Sequence, residues 1–476
     1  MPTFVGRVAE LRSLHRLLER VRAGGDKPGQ CVLIRGRRRV GKSRLAEVFV
    51  QRAAVPSCFF TASRQRSGEL ALFAEEVRGS GLSGAALFEG NEPTNWDAGL
   101  RLLAQALPDD SVSVVVIDEF PYLVEDDETV EATFQKQWDR NLSKKPVLLL
   151  LIGSNLAMME ALNTHRRAFF QRATEMAVPP LSPAETANIV GAADSGEAFD
   201  AALVTGGLPL ICEEWPTGAS MWDYLDEALS DPTSALIVSA ERSLAAEFPS
   251  EVQARVVLEQ IGSGERTFTN IARAAGGLHA ASASRTLDLL TDKRVVARDV
   301  PLSTRPSREA RYRVADPYLR FWLRFVGPHL AEIERGRGDR VVARIRSVWT
   351  TWRGRAIEPV VREALARLLP IGDIDGPVVG GYWTRTNTPE VDLVGADREP
   401  VAKKITFSGS IKWLDDQAFS TADLKTLARK TNEIPGAGPE TPLVVVSRSG
   451  VTAKGAALSL GPEELLRAFS ASASAS

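Results

Sequence analysis

The octapeptide GRRRVGKS, Gly36 to Ser43, constrains this chain more than any other stretch in it. It fits the spacing GxxxxGKS and lies between an apolar run, CVLI at 31–34, and a helix-like segment, SRLAEVFVQRA. In a strand–loop–helix context, glycines let successive backbone N–H groups turn toward phosphate oxygens, and the start of the helix adds favourable partial charge. Lys42 would then reach the β- and γ-phosphates of a nucleotide and Ser43 would ligate Mg²⁺, with Gly36, Val40, Gly41 and Arg44 in the same cradle. The arginines at 37–39 fill the variable positions of the loop, where solvation and contact with a polyanion are both open to them.

A loop of this kind needs a parallel sheet behind it, and the first 180 residues supply the pattern. CVLI at 31–34, SCFF at 57–60, VSVVVID at 112–118 and VLLLLIG at 147–153 are nearly continuous apolar runs. Helical segments such as WDAGLRLLAQAL separate them, so an α/β domain with a parallel sheet is expected. VVVIDEF carries the second half of the site. Asp118 closes a buried strand where its carboxylate can hold the Mg²⁺ water shell, and Glu119 is placed to polarise an attacking water. LIGSN ends another strand, and either Ser154 or Asn155 would stand beside the γ-phosphate.

Beyond residue 180 the strand signal fades into short helical segments over 181–248. Residues 249–325 then read as three helices and a hairpin, VVARDVPL and ARYRVAD, with STRPSRE at its tip: a winged helix-turn-helix pattern. Formal net charge is −2 for the whole chain, yet Glu265 to Arg324 holds twelve Lys/Arg against six Asp/Glu. That segregation suits phosphate contacts with double-stranded DNA, with Arg285 facing a groove and Arg305 and Arg308 following the backbone. The competing expectation is that the winged helix only packs against neighbouring domains. A charged linker at 326–347 leads to a last α/β unit at 348–469 and a low-complexity tail at 470–476. Three separated cysteines without CxxC spacing argue against zinc and disulfides and suit a reducing cytoplasm. The longest apolar run is too short to span a bilayer, so no membrane association is expected.

Taken in order, FVGRVAEL, GRRRVGKS, NWDAGLRLL, VVVIDEFPYL, LLLLIGSNLAMME and GGLPLICEEW resemble the archaeal-type ATPase family, a branch of the AAA+/STAND P-loop ATPases. The resemblance implies ATP as the nucleotide. It places Val5, Gly6 and Arg7 near the adenine and Pro209 on a helical lid over the nucleotide. It also gives Arg172 a role toward a γ-phosphate, its own or that of a neighbouring subunit, although AFFQRAT departs from the family's LYG-containing segment there. Arg166 and Arg167 are its rivals.

The same ATPases often carry a C-terminal DUF234 domain resembling PD-(D/E)xK restriction-endonuclease-like folds. On that resemblance Glu358 and Asp392 are the metal-binding acids and Lys412 is the lysine that orients water. Ser410 stands where a further acid belongs, which predicts a degenerate nuclease site unless Glu390 or Asp415 replaces the missing carboxylate. The expected function is an ATP-hydrolysing, nucleotide-gated switch linked to DNA. The alternatives are a STAND-type signalling or scaffolding protein with protein partners or a homo-oligomeric form, and an ATP-dependent nuclease.

Overall fold

The computed structural model describes residues 4–63, 68–165, 167, 169–248 and 251–470. Its chain divides into two compact units, Met1–Pro180 and Leu181–Ser476.

The first unit is built on five strands: β1 Gln30–Arg35, β2 Ser57–Thr61, β3 Ser113–Asp118, β4 Val147–Gly153 and β5 Ala173–Ala177. All pair in parallel, in the order β2-β3-β4-β1-β5. Every residue of β3 and β4 is buried, as a sheet covered on both faces requires. The edge strand β5 was not expected. Its sequence, ATEMA, buries only Met176, and pairing with β1 from Cys31↔Ala173 onward holds it in the sheet. On one face Phe60, Phe73, Phe88, Phe120, Phe134 and Phe169 form a continuous apolar cluster. Each such side chain contributes about 1.5–3 kcal/mol by leaving water.

The second unit begins with helices Pro183–Val190, Ser195–Thr205, Pro209–Glu214, Met221–Ala228 and Ala235–Glu247. Helices Val252–Ser263, Phe268–Ala274 and Ala280–Asp292 follow, and then the antiparallel hairpin of β6 Val296–Asp299 and β7 Arg311–Val314. The expected linker at 326–347 is instead largely helical. Helix Gly338–Ala356 buries Val341, Val342 and Ile345 along one side. After helix Glu358–Leu368 comes a mixed sheet of β8 Val378–Trp383, β9 Glu390–Ala396, β10 Ile405–Lys412, β11 Leu443–Ser447 and β12 Leu458–Leu460. Its order is β12-β11-β10-β9-β8, antiparallel from β8 to β10 and parallel from β10 to β12.

Two features make this unit one body rather than a lid, a hairpin and a domain joined by linkers. Helix Ser195–Thr205 shares a core with the C-terminal sheet, where Phe199 and Leu203 meet Ile357, Phe407 and Trp413. Above that core Arg353, 2% exposed, donates to Asp200 at 3.0 Å and Asp415 at 2.7 Å, and Arg448 donates to the same Asp200 at 2.9 Å. Burial lifts the Asp200 carboxyl to about 6 despite both guanidiniums.

The GGLPL segment has a packing role here as well. Gly207 adopts φ +66°, and a Cβ there would stand 2.1 Å from the Leu181 carbonyl oxygen, so no other residue fits. The hairpin tip is also docked. The Leu302 amide donates to Gly381 at 2.8 Å, the Thr304 amide donates to Pro435 at 3.1 Å, and the Leu302 side chain joins the Val391–Val394 core.

Candidate functional site: the phosphate loop and its surroundings

The loop between β1 and helix Lys42–Ala53 closes on Gly41, which has φ +86°. That left-handed turn, which glycine adopts at no steric cost, aims the first N–H groups of the helix back over the loop. Val40 is fully buried and pins the loop from below. Lys42 is 6% exposed, and its ammonium donates to the loop's own carbonyls, Gly36 at 3.0 Å and Arg37 at 2.9 Å. Burial pulls its pKa down to about 8, against the opposing pull of Glu119 and Asp118.

The strand order explains which carboxylates lie close. β4 separates β1 from β3, so the ends of three neighbouring strands carry Lys42, Ser154 and Asp118 in turn. Asp118 is buried, which raises its pKa, while a hydrogen bond from the Ser43 hydroxyl and one from the Glu119 amide at 2.9 Å act the other way. Glu119 has φ +53°, a left-handed conformation that costs a non-glycine residue about 1–2 kcal/mol. Its carboxylate accepts the Ser154 hydroxyl at 3.0 and 3.2 Å.

Of the two residues weighed at the end of β4, Ser154 therefore contacts the glutamate. Asn155 caps helix Leu156–Leu162 through the Met158 amide and reaches Glu125 at 3.4 Å. Arg7, 3% exposed and at φ +61°, donates to the Val40 carbonyl at 2.8 Å, so the FVGR segment buttresses the phosphate loop directly. Val5 and Gly6 are half-buried beside it.

Other expected site residues are engaged elsewhere. Arg44 is exposed and pairs with Glu47 at 3.0 Å. Arg172 donates to Asp139 at 2.8 Å and to the Phe170 carbonyl at 3.2 Å. Arg167 pairs with Glu131, and Arg166 lies outside the described residues. Pro209 opens helix Pro209–Glu214 in the second unit. Sequence reasoning missed Tyr122, whose hydroxyl accepts Arg38 at 2.7 Å and ties the phosphate loop to the DEFPYL segment. Its position four residues after Asp118, one helical turn on, was the available signal.

The positions expected of a nuclease site do gather toward one end of the antiparallel pair β9 and β10 in the C-terminal sheet, each with its own partner. Arg362 bonds Glu358 at 3.3 Å and the Asp392 carbonyl at 2.8 Å. The Asp392 carboxylate accepts Ser410 and the Ile411 amide, both at 2.9 Å. Lys412 donates to Asp423 at 2.9 Å, and Asp423 also closes a capping box with Ser420. The S-x-x-D spacing could have flagged that aspartate. Glu390 is taken by Arg311 at 2.7 Å, and Asp415 by Arg353 and Arg448. Among the described residues no group of three or more His, Cys, Asp or Glu is placed to hold a metal ion. Arg285, Arg305 and Arg308 are all exposed.

Residues 322–426 match the family described as "DUF234: Archaea bacterial proteins of unknown function". The match agrees with the resemblance drawn for the C-terminal unit and begins earlier, in helix Pro317–Phe325. Across 438 residues, 90% of either chain, the protein is 25% identical to "Uncharacterized protein MJECL04" of Methanocaldococcus jannaschii. Among solved structures, the Walker-type ATPase PABY2304 of Pyrococcus abyssi aligns with 67% of this chain and 96% of its own, at 18% identity and TM-score 0.48. The Aeropyrum pernix ORC2 protein, solved as ADPNP–ADP complexes, aligns with 73% of this chain and 96% of its own, at 12% identity and TM-score 0.43.

Proposed function

We propose that this chain binds ATP with Mg²⁺ and hydrolyses it, using the cycle as a nucleotide-gated switch linked to double-stranded DNA. The observation that carries the reading is the convergence of Lys42, Ser43, Asp118, Glu119 and Ser154 at the ends of three adjacent parallel strands. The residues fit the ligand chemically: a desolvated ammonium held, among the described residues, by loop carbonyls, and a hydroxyl already paired with a buried carboxylate. Mg²⁺, when bound, would neutralise charge on the β- and γ-phosphates. Lys42 would exchange its carbonyl partners for phosphate oxygens. Ser43 and Asp118 would hold the ion, and Glu119, oriented by Ser154, would take the proton of the attacking water. The free cysteines, all buried, suit a reducing cytoplasm.

Because helix Ser195–Thr205 is fixed to the C-terminal sheet, the lid is proposed to move with the rest of residues 181–476 rather than independently of them. Lys42→Ala should abolish nucleotide binding, and Glu119→Gln should bind ATP while losing turnover. Equal hydrolysis rates in wild type and Glu119→Gln would overturn the assignment.

One observation favours a second reading, a switch that engages protein partners instead of DNA: the backbone of the hairpin tip is already hydrogen-bonded to the C-terminal sheet. A salt-dependent mobility shift with duplex DNA separates the two. No cleavage step is proposed, since Glu358, Asp392 and Lys412 are each occupied by neighbouring side chains or amides.

A further inference from the structure

In phosphoryl transfer a guanidinium can supplement the loop lysine, spreading positive charge over the oxygens of the departing phosphoryl group. Two arginines weighed for that role are engaged elsewhere, Arg172 with Asp139 at 2.8 Å and Arg167 with Glu131 at 2.6 Å. The phosphate loop itself carries three more, at 37–39, and Arg38 has a defined course among them. Its backbone follows the Arg37 carbonyl that accepts the Lys42 ammonium at 2.9 Å, so the residue starts beside that charge. Its side chain ends on the Tyr122 hydroxyl, to which it donates at 2.7 Å. Tyr122 sits in the first turn of helix Phe120–Asp126, where its amide donates to the Glu119 carbonyl at 2.9 Å. β4 lies between β1 and β3 in the sheet, so the Arg38–Tyr122 pair bridges the ends of two strands that are not neighbours. The guanidinium thus runs from the loop toward the turn that carries Asp118 and Glu119.

The pair is chemically incomplete. A phenol hydroxyl is neutral, and among the described residues no carboxylate lies within ion-pair distance of Arg38. Arginines on either side of the loop do have one, Arg35 with Glu160 at 2.7 Å and Arg44 with Glu47 at 3.0 Å. Arg38 is half-buried, and its charge adds to burial in lowering the Lys42 pKa. Two cations at one loop are relieved by an anion that both can reach. A charge-assisted hydrogen bond is about twice as strong as a neutral one, so a phosphate oxygen displaces the phenol as acceptor.

We infer that Arg38 is a catalytic residue of the hydrolysis proposed above, its guanidinium passing from the Tyr122 hydroxyl to the γ-phosphate when ATP binds. The inference rests on that ATPase reading. In the step, the water oxygen bonds to the γ-phosphorus as the bond to the β–γ bridging oxygen breaks. Glu119 takes the water's proton, and the electron pair leaves with ADP. Arg38 meets the charge on the transferring oxygens from the side of Glu119. ADP lacks that group, so Tyr122 takes the guanidinium back once phosphate has left.

The test uses the full chain, with Mg-ADP titrations and single-turnover hydrolysis of Mg-ATP. Arg38→Ala should keep Mg-ADP affinity within about threefold and slow hydrolysis about 100-fold, the scale of one lost donor to transition-state charge. Guanidinium chloride at millimolar concentration should restore part of that rate, and potassium chloride at the same concentration should not. Tyr122→Phe removes the docking hydroxyl but leaves the guanidinium, and should slow hydrolysis less than about tenfold. Equal slowing in both variants without rescue by guanidinium makes the pair a structural tie and overturns the inference. So does loss of Mg-ADP binding in Arg38→Ala, or hydrolysis unchanged in it. Wild-type protein that binds neither nucleotide refutes the ATPase reading, and the role of Arg38 with it.

Discussion

On the nucleotide-binding reading proposed above, the burial of Lys42 makes affinity depend on pH in one direction. In the ligand-free protein its pKa is about 8 rather than 10.5, because burial disfavours the ammonium and two carbonyls hold it only partly. Phosphate oxygens favour the charged form and return the pKa toward or above its ordinary value. Below pH 8 the ammonium is already charged, and binding takes up almost no proton. Above pH 8 each molecule must first bind a proton, and the apparent Kd rises by a factor of 1 + 10^(pH − 8). From pH 7.5 to 9 this amounts to about eightfold, or ~1.2 kcal/mol. Isothermal titration of Mg-ADP in buffers of different ionisation enthalpy reads both quantities: the weakening, and an uptake approaching about 0.9 proton at pH 9. Lys42→Arg keeps its charge throughout and should show a flat profile, whatever its affinity. A wild-type Kd that does not change between pH 7.5 and 9, with no proton uptake, would refute the reasoning.

The same shift predicts that Lys42→Met raises the melting temperature of the ligand-free protein. Between pH 8 and 10.5 the unfolded chain holds more protons than the folded one, so stability rises with pH across that window, and below pH 8 the buried ammonium costs about 3 kcal/mol. Ser154→Ala should leave ATP affinity near wild type and slow turnover about tenfold in single-turnover assays, since it frees the Glu119 carboxylate. Arg353→Ala should lower unfolding free energy by about 1.5–3 kcal/mol in urea titrations, because it removes one of the two guanidiniums bonded to the buried Asp200 and leaves Arg448 alone with it, whereas Asp200→Asn should cost less because burial already opposes that charge. Leu302→Ala should cost about 2–4 kcal/mol and expose the hairpin tip to limited proteolysis.

The sheet of the first unit was legible where hydrophobicity is continuous. β1 to β4 announce themselves because strands covered on both faces tolerate almost no polar residue. β5 does not, since an edge strand needs only one buried residue and Met176 supplies it. Lys42, Ser43, Asp118 and Glu119 could be read from spacing because phosphate geometry permits few alternatives. The choice between Ser154 and Asn155 could not, because it turns on which way each side chain leaves the strand end. The joining of helix Ser195–Thr205 to the C-terminal sheet was equally invisible, as Asp200, Arg353 and Arg448 form a contact without any periodic signature in the sequence.

The charge excess between Glu265 and Arg324 shows why counting is weaker than placement. Twelve basic residues there suggested a surface facing DNA phosphates. In the fold, Arg311 and Arg313 are spent on Glu390 and Asp299, and Arg324 on the Ser263 carbonyl. A nearly neutral chain can thus hold a strongly basic segment because acids on other elements of the same unit neutralise it. What remains for an external polyanion is the set those acids do not reach. That set includes Arg285, Arg305 and Arg308, which are exposed. On the DNA-linked reading proposed above, a phosphate contact is therefore to be sought first at those exposed arginines, and not from the basic count of the whole segment.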